Sequence, residues 1–248
     1  MKSDKFRSKV SACQLCRGIV VTMTDSVVCE LAGVLGFDFV WIDAEHGTFN
    51  PETIARHIVA LKSYDCASFV RVQWNEWGVI KPILDMAPDG VIIPMVNSVE
   101  AAEAAVSSCR YPPIGRRGCR PQRGRCFGFM PLDEYLDNSK RDPLVIIQIE
   151  HIDAVANLDA ILKVPGIDSI CIGPTDLSAS MDKFCQFDDP EVNRVLDEIA
   201  IKVKRAGLML GTADNLTPAW RARGLDWIAC TSDLGLMLSN GRQLLANK

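Results

Sequence analysis

Two stretches of the chain place an acid where a buried strand would end. Val145-Ile146-Ile147-Gln148-Ile149-Glu150 and Ser169-Ile170-Cys171-Ile172-Gly173-Pro174-Thr175-Asp176 open as apolar, β-branched runs of strand length, and each stops at a carboxylate. A desolvated, ionised carboxylate is costly unless something compensates its charge. Two of them on neighbouring strand ends repel each other unless a cation lies between. A hard, oxygen-preferring divalent ion such as Mg2+ or Mn2+ answers that need and leaves coordination positions for a substrate. Spacing alone leaves a plainer reading open, in which both acids cap strands and pair with arginines.

Other reactive side chains follow predicted strands. Trp41-Ile42-Asp43-Ala44-Glu45-His46-Gly47 ends one run and Val70-Arg71-Val72 lies in the next. The chain has only three histidines. His57 falls in a helical pattern and reads as structural. His46 follows a strand, and Asp43 is close enough in sequence to orient it, so His46 is the candidate acid–base group. No predicted strand contains a lysine, which leaves a Schiff-base mechanism without its nucleophile. Nor does a phosphate-binding glycine motif follow any strand. Metal-assisted acid–base chemistry remains.

The elements that must position these groups are eight apolar runs, near residues 18–23, 39–45, 68–73, 90–96, 145–150, 169–174, 208–213 and 227–232. Helix signals separate them: Asn50-Pro51-Glu52, Ser98-Val99-Glu100 and Asp189-Pro190-Glu191 each join a cap to a favourable first turn. Residues 234–245 supply a last helix. Eightfold strand–helix alternation predicts an α/β fold, a (β/α)8 TIM barrel forming one domain over residues 1–248, with its chemistry at the carboxyl ends of the strands. The segment from Tyr111 to Pro143 breaks the rhythm. It is rich in Pro, Gly and Arg, and is expected to fold over or beside the active-site mouth. Its Arg116, Arg117, Arg120, Arg123 and Arg125 either pair with surface acids or reach a second carboxylate on a substrate.

Composition narrows the class. A net charge of −4 and a pI near 5.5 disfavour a general nucleic-acid surface, and no run approaches the roughly 18 apolar residues that cross a membrane. The polar opening Met1-Lys2-Ser3-Asp4-Lys5 lacks a signal-peptide core, so a cytoplasmic protein is expected. The ten cysteines then read as reduced thiols, with Cys13-x-x-Cys16 lacking the second pair a zinc site needs.

The segments 36–47, Arg71-Val72-Gln73-Trp74-Asn75, Ile93-Pro94-Met95-Val96, Arg110-Tyr111-Pro112-Pro113, Gln148-Ile149-Glu150 and Ile172-Gly173-Pro174-Thr175-Asp176-Leu177-Ser178 occur in the order seen in the class II pyruvate aldolases. From about residue 15 onward the chain resembles that family, which includes 4-hydroxy-2-oxoheptanedioate and 2-dehydro-3-deoxyglucarate aldolases within the phosphoenolpyruvate/pyruvate-domain superfamily. The resemblance implies a carbon–carbon lyase that cleaves a 4-hydroxy-2-oxo acid to pyruvate and an aldehyde. It implies a divalent ion, Mg2+ or Mn2+ with Co2+ as an alternative, held by Glu150 and Asp176. Pyruvate would bind that ion, with Gln148, Gly173, Pro174 and Thr175 around the substrate and backbone N–H groups near Thr175 and Asp176 meeting its carboxylate. Arg71 would stabilise the enolate, and His46, oriented by Asp43, would be the base, acting through a metal-bound water. Asp85 matches an acid contributed across a subunit interface, which implies a homo-oligomer, a hexamer built as a trimer of dimers. Relatives in the family differ at Gln73, across Gly115–Arg120, at His151, and in the region Gly18-Ile19-Val20-Val21, where they commonly carry a tryptophan; the first three departures bear on the acceptor. Two other readings stand beside the aldolase: a related lyase on an acyl-CoA or oxaloacetate-like acid, and a silent barrel that only binds a 2-oxo acid.

Overall fold

The computed structural model describes residues 2–246. Eight parallel strands close on themselves in sequence order: β1 (Cys16–Val21), β2 (Phe39–Asp43), β3 (Ala67–Arg71), β4 (Gly90–Ile93), β5 (Leu144–Ile149), β6 (Ser169–Ile172), β7 (Met209–Ala213) and β8 (Trp227–Ser232). The last strand pairs with the first, so no edge is left. Helix α1 (Lys2–Ser11) precedes the barrel. Helices α2 (Val27–Leu35), α3 (Pro51–Ala60), α4 (Trp77–Asp85) and α5 (Val99–Cys109) follow the first four strands. After α6 (Leu132–Asn138) come α7 (Ile152–Ala156), α8 (Leu158–Ile161), α9 (Pro174–Ser180), α10 (Pro190–Arg205), α11 (Pro218–Ala222) and α12 (Asp233–Ala246).

Most strand residues are buried whichever face they stand on, which is why the strand sequences read as near-continuous apolar runs. Successive side chains alternate between two cores. Val40, Ile42, Val70 and Ile147 point outward against the helices, while Phe39, Trp41, Phe69, Leu144 and Trp227 fill the barrel. Phe39 stacks on Phe69 at 5.0 Å, and Phe6 of α1 meets Phe69 edge-on at 5.0 Å. Helix α1 is tied to the barrel's amino end by this ring and by ion pairs of Arg7 with Asp168 at 2.8 Å and of Lys9 with Asp38. The helix starts behave as their sequences demand: Asn50 accepts from the Thr53 N–H, Ser98 from Ala101 and Asp189 from Glu191 and Val192.

The segment 111–143 contradicts its expected position. It joins the end of α5 to the start of β5, and in this topology both lie at the amino end of the barrel, away from the catalytic rim. It contains α6 and packs along α4: Arg117 donates to the Leu84 carbonyl at 2.9 Å, and the Trp77 indole donates to the Arg116 carbonyl at 3.2 Å. None of its arginines reaches the mouth of its own barrel.

Candidate active site

The carboxyl ends of the strands surround a cavity of about 310 Å3. Val20, Trp41, Arg71, Gln148, Gly173 and Ala213 contribute from six strands or their ends, His46 from the loop after β2, and Thr175 and Asp176 from the first turn of α9. The inward half of each strand's alternation sets this list, since Trp41 and Arg71 share the face that carries Phe39 and Phe69 one step below.

Glu150 stands immediately after β5 and is 2% exposed. One carboxylate oxygen accepts the Met95 N–H at 2.7 Å, and the other accepts the Gln148 side-chain amide. Met95 takes φ 54, an uncommon conformation for a residue with a side chain, and its N–H is the one that meets Glu150. Gly173 leaves the space the carboxylate needs: a Cβ there would lie 2.8 Å from Glu150 Cβ, 2.9 Å from Glu150 Oε2 and 3.0 Å from Gln148 Nε2. Burial pushes the Glu150 carboxyl above the usual range; the Met95 N–H opposes this, the Glu45 and Asp176 carboxylates add to it, and Arg71 opposes it. Asp176 sits in the first turn of α9, exposed at the rim.

Among the described residues no group of three His, Cys, Asp or Glu side chains is arranged to hold a metal ion. Glu150 and the Asp176 carboxylate that adds to the cost of its ionisation, in an all-oxygen setting, nevertheless fit a hard divalent ion whose other ligands are water and substrate.

Arg71 is fixed from three sides. Its Nε and Nη2 donate to the two oxygens of Asp43 at 2.9 and 2.7 Å, its Nη1 lies 2.8 Å from Glu45 Oε2, and its guanidinium lies 5.1 Å from the Trp41 ring centroid. This corrects the expected role of Asp43. Its carboxylate is spent on Arg71 and reaches His46 only through the backbone N–H, at 3.4 Å. The His46 imidazole stands exposed at the rim without that orienting acid. Asp43 and Arg71 are paired in the β2–β3 register, which explains why they meet.

Glu45 belongs to the site although its strand position did not point to it. The chain turns after Asp43, with the Gly47 N–H donating to the Asp43 carbonyl, and swings the Glu45 side chain to 16% exposure against Arg71. Burial raises its carboxyl above the usual range, against the pull of Arg71 and His46. Asp85 is not brought to the rim of its own chain: it ends α4 at the opposite end of the barrel, 3.8 Å from Arg117.

The remaining candidates are structural. His57 is fully buried, its ring nitrogens 2.8 and 2.9 Å from the carbonyls of Thr53 and Met23. His151 caps α7 by accepting the Asp153 N–H. Cys16 is buried and its thiol is pushed up to about 12, whereas Cys13 is exposed, so the C-x-x-C spacing does not make a matched pair.

Residues 18–239 match the model of the family described as HpcH/HpaI aldolase/citrate lyase. The chain is 34% identical over 247 residues to a hydroxypyruvate/pyruvate aldolase of Roseobacter denitrificans, an alignment covering 98% of this chain and 96% of the relative. It is 33% identical to a 5-keto-4-deoxy-D-glucarate aldolase of Klebsiella pneumoniae, covering 97% and 95%. Among solved structures it is similar to the citrate synthase SbnG, with a TM-score of 0.87 and 28% identity over 97% of this chain and 96% of that one. With its eight-stranded barrel, its rim carboxylates and a match across most of its length, the chain belongs to the HpcH/HpaI aldolase/citrate lyase family.

Proposed function

We propose that the protein is a metal-dependent aldolase that reversibly cleaves a 4-hydroxy-2-oxo acid into pyruvate and an aldehyde. The observation that carries the reading is the convergence of Glu150, Asp176 and Arg71 on one rim, around a cavity that no lysine lines among the described residues. A divalent ion held by Glu150 and Asp176 would supply Lewis-acid stabilisation of the carbonyl oxygen of the 2-oxo acid. The protein's own groups do the rest. Arg71, immobilised by Asp43, Glu45 and the Trp41 face, presents its remaining N–H bonds to the oxygen on which negative charge develops. His46 takes the proton of the 4-hydroxyl as the C3–C4 bond breaks, and returns it to the aldehyde oxygen in the condensing direction. Gln148 fixes one oxygen of Glu150 and faces the cavity where the substrate binds, while Gly173, Pro174 and Thr175 bring the start of α9 to the substrate carboxylate.

A homo-oligomer is part of the same proposal. Helix α12 leaves Met237 and Leu244 at 69% and 75% exposure, and α2 leaves Val34 and Leu35 at 70% and 69%, apolar faces that a second copy would cover. Asp85, 3.8 Å from Arg117 and away from the rim of its own chain, would then serve a neighbouring site. No helix among the described residues is long and apolar enough to cross a membrane, and a cytoplasmic location fits ten cysteines, all of them free thiols.

The deciding experiment measures pyruvate release from a panel of 4-hydroxy-2-oxo acids, with and without chelator. Chelator-sensitive release supports the reading. Borohydride trapping of pyruvate on a lysine would replace it with a Schiff-base mechanism. One observation favours a second reading: the wall opposite Arg71 and Gln148 is built from Val20 and Ala213, which carry no polar group to select an aldehyde. The same enolate-stabilising half could therefore serve a lyase acting on an oxaloacetate-like acid, and oxaloacetate belongs in the panel.

A further inference from the structure

A second cavity of about 310 Å3 lies at the opposite, amino-terminal end of the barrel, between the start of α1, the turn from α4 to β4, and the segment 111–143. Its volume falls at the lower end of the roughly 300–1,000 Å3 that small-molecule sites occupy. Leu84, Pro88, Met130 and Tyr135 give it an apolar wall, and four cations stand in it: Lys2, Lys62, Arg117 and Arg123.

These cations are poorly neutralised. The Lys2 ammonium donates to the Leu61 carbonyl, Lys62 to the Ala87 carbonyl at 3.2 Å and Arg117 to the Leu84 carbonyl at 2.9 Å, all uncharged acceptors. The Arg117 side chain is only 2% exposed; the Asp85 oxygen in its ion pair stays 3.8 Å away, and its Nε has no acceptor. Tyr111 offers only its ring face, 4.6 Å from the guanidinium. Burial lowers the Lys2 ammonium below the usual lysine range; Asp89 opposes this and Lys62 adds repulsion. Of the two acids on the wall, Asp89 accepts the Ser68 backbone N–H and hydroxyl at 3.0 and 2.9 Å. Asp142 stands 3.8 and 3.9 Å from Arg7 and Arg141, and burial pushes its carboxyl above the usual range, which lessens its opposition to an anion. A buried guanidinium whose hydrogen bond goes to a carbonyl and whose nearest carboxylate stands 3.8 Å away is costly without a closer anion, and convergent cations on an apolar wall define what that anion looks like.

We propose that this cavity binds a small organic carboxylate with an apolar body, the carboxylate meeting Lys62, Arg117 and Arg123 and the hydrocarbon lying on Leu84, Met130 and Tyr135. The site is separate from the rim and does not depend on the aldolase reading.

The test is calorimetric titration of the chelator-treated full chain at low ionic strength with benzoate. Benzyl alcohol serves as the apolar body alone and inorganic phosphate as the charge alone. Benzoate is expected to bind saturably at one site per chain, and more tightly than either control. Lys62 and Arg123 are exposed, so the double variant Lys62→Glu, Arg123→Glu is expected to fold with an unchanged Tm and to weaken benzoate by at least about tenfold. No saturable benzoate binding, binding unchanged in the double variant, phosphate binding as tightly as benzoate, or displacement of benzoate by oxalate at the rim would each overturn the proposal.

Discussion

Replacing Gly173 by alanine adds one methyl group and tests whether the site depends on the position of the Glu150 carboxylate. Gly173 has φ −101 and ψ 88, which alanine tolerates, so space alone decides the outcome. The new Cβ would stand 2.8 Å from Glu150 Cβ and 2.9 Å from its Oε2, where ordinary contact begins near 3.4 Å. Glu150 must therefore retreat by about 0.5–0.6 Å, which disturbs the hydrogen bonds it accepts from the Met95 N–H and the Gln148 amide. Overpacking of this kind costs about 1–3 kcal/mol. At about 2–4 °C per kcal/mol for a chain of this size, Tm should fall by roughly 2–12 °C. Displacement of a reacting group by about 1 Å can cost 10²-fold in rate, so kcat/KM for cleavage should fall by tens of fold to about 10²-fold while far-UV circular dichroism stays unchanged. Gly78→Ala is the control, because a Cβ there meets nothing within 4 Å. It should be neutral or slightly stabilising. If Gly173→Ala lowered Tm in the expected range but left kcat/KM within twofold of wild type, the claim that Glu150 must stand where it does would fail.

Four further outcomes are expected. Glu150→Gln and Asp176→Asn each remove a charge from an oxygen-ligand pair; both should abolish chelator-sensitive turnover with the melting transition preserved, and a double variant with most of its turnover would refute the ligand assignment. His46→Ala should slow cleavage by about 10²–10⁴-fold. Arg71→Lys should also be severely impaired, since lysine keeps the charge but cannot make the two parallel bonds to Asp43; a near-wild-type kcat would reduce Arg71 to a background charge. Iodoacetamide followed by peptide mapping should label Cys13, Cys119, Cys126 and Cys185 in the native protein and spare Cys16, Cys66 and Cys109, which are buried, with thiols pushed up to about 12, 12 and 11. Native labelling of Cys16 would show that the barrel's amino end opens.

The barrel was readable in the chain because a strand buried on both faces leaves a continuous apolar run, and the helix starts were readable because a cap is a local feature. What escaped sequence reasoning was set by relations between elements. The 111–143 segment was expected at the mouth from its composition. A connection from a helix end to a strand start can begin and end only at the amino side, and that constraint is topological. The roles around Asp43 were misread for a similar reason. Three residues of separation suggest that Asp43 serves His46, but a strand directs Asp43 inward, where its neighbour is fixed by register, and β2 pairs Asp43 with Arg71. The turn that follows then brings Glu45 to the third side of the same guanidinium. The plainer reading of Glu150 and Asp176, strand-end acids paired with arginines, describes Asp43 instead. It fails for Glu150, whose two oxygens are held by an N–H and an amide rather than by a cation. That contrast separates their chemistry: Asp43 is neutralised within the protein and holds Arg71 in place, whereas the Glu150 oxygens meet only neutral donors and burial pushes its carboxyl above the usual range.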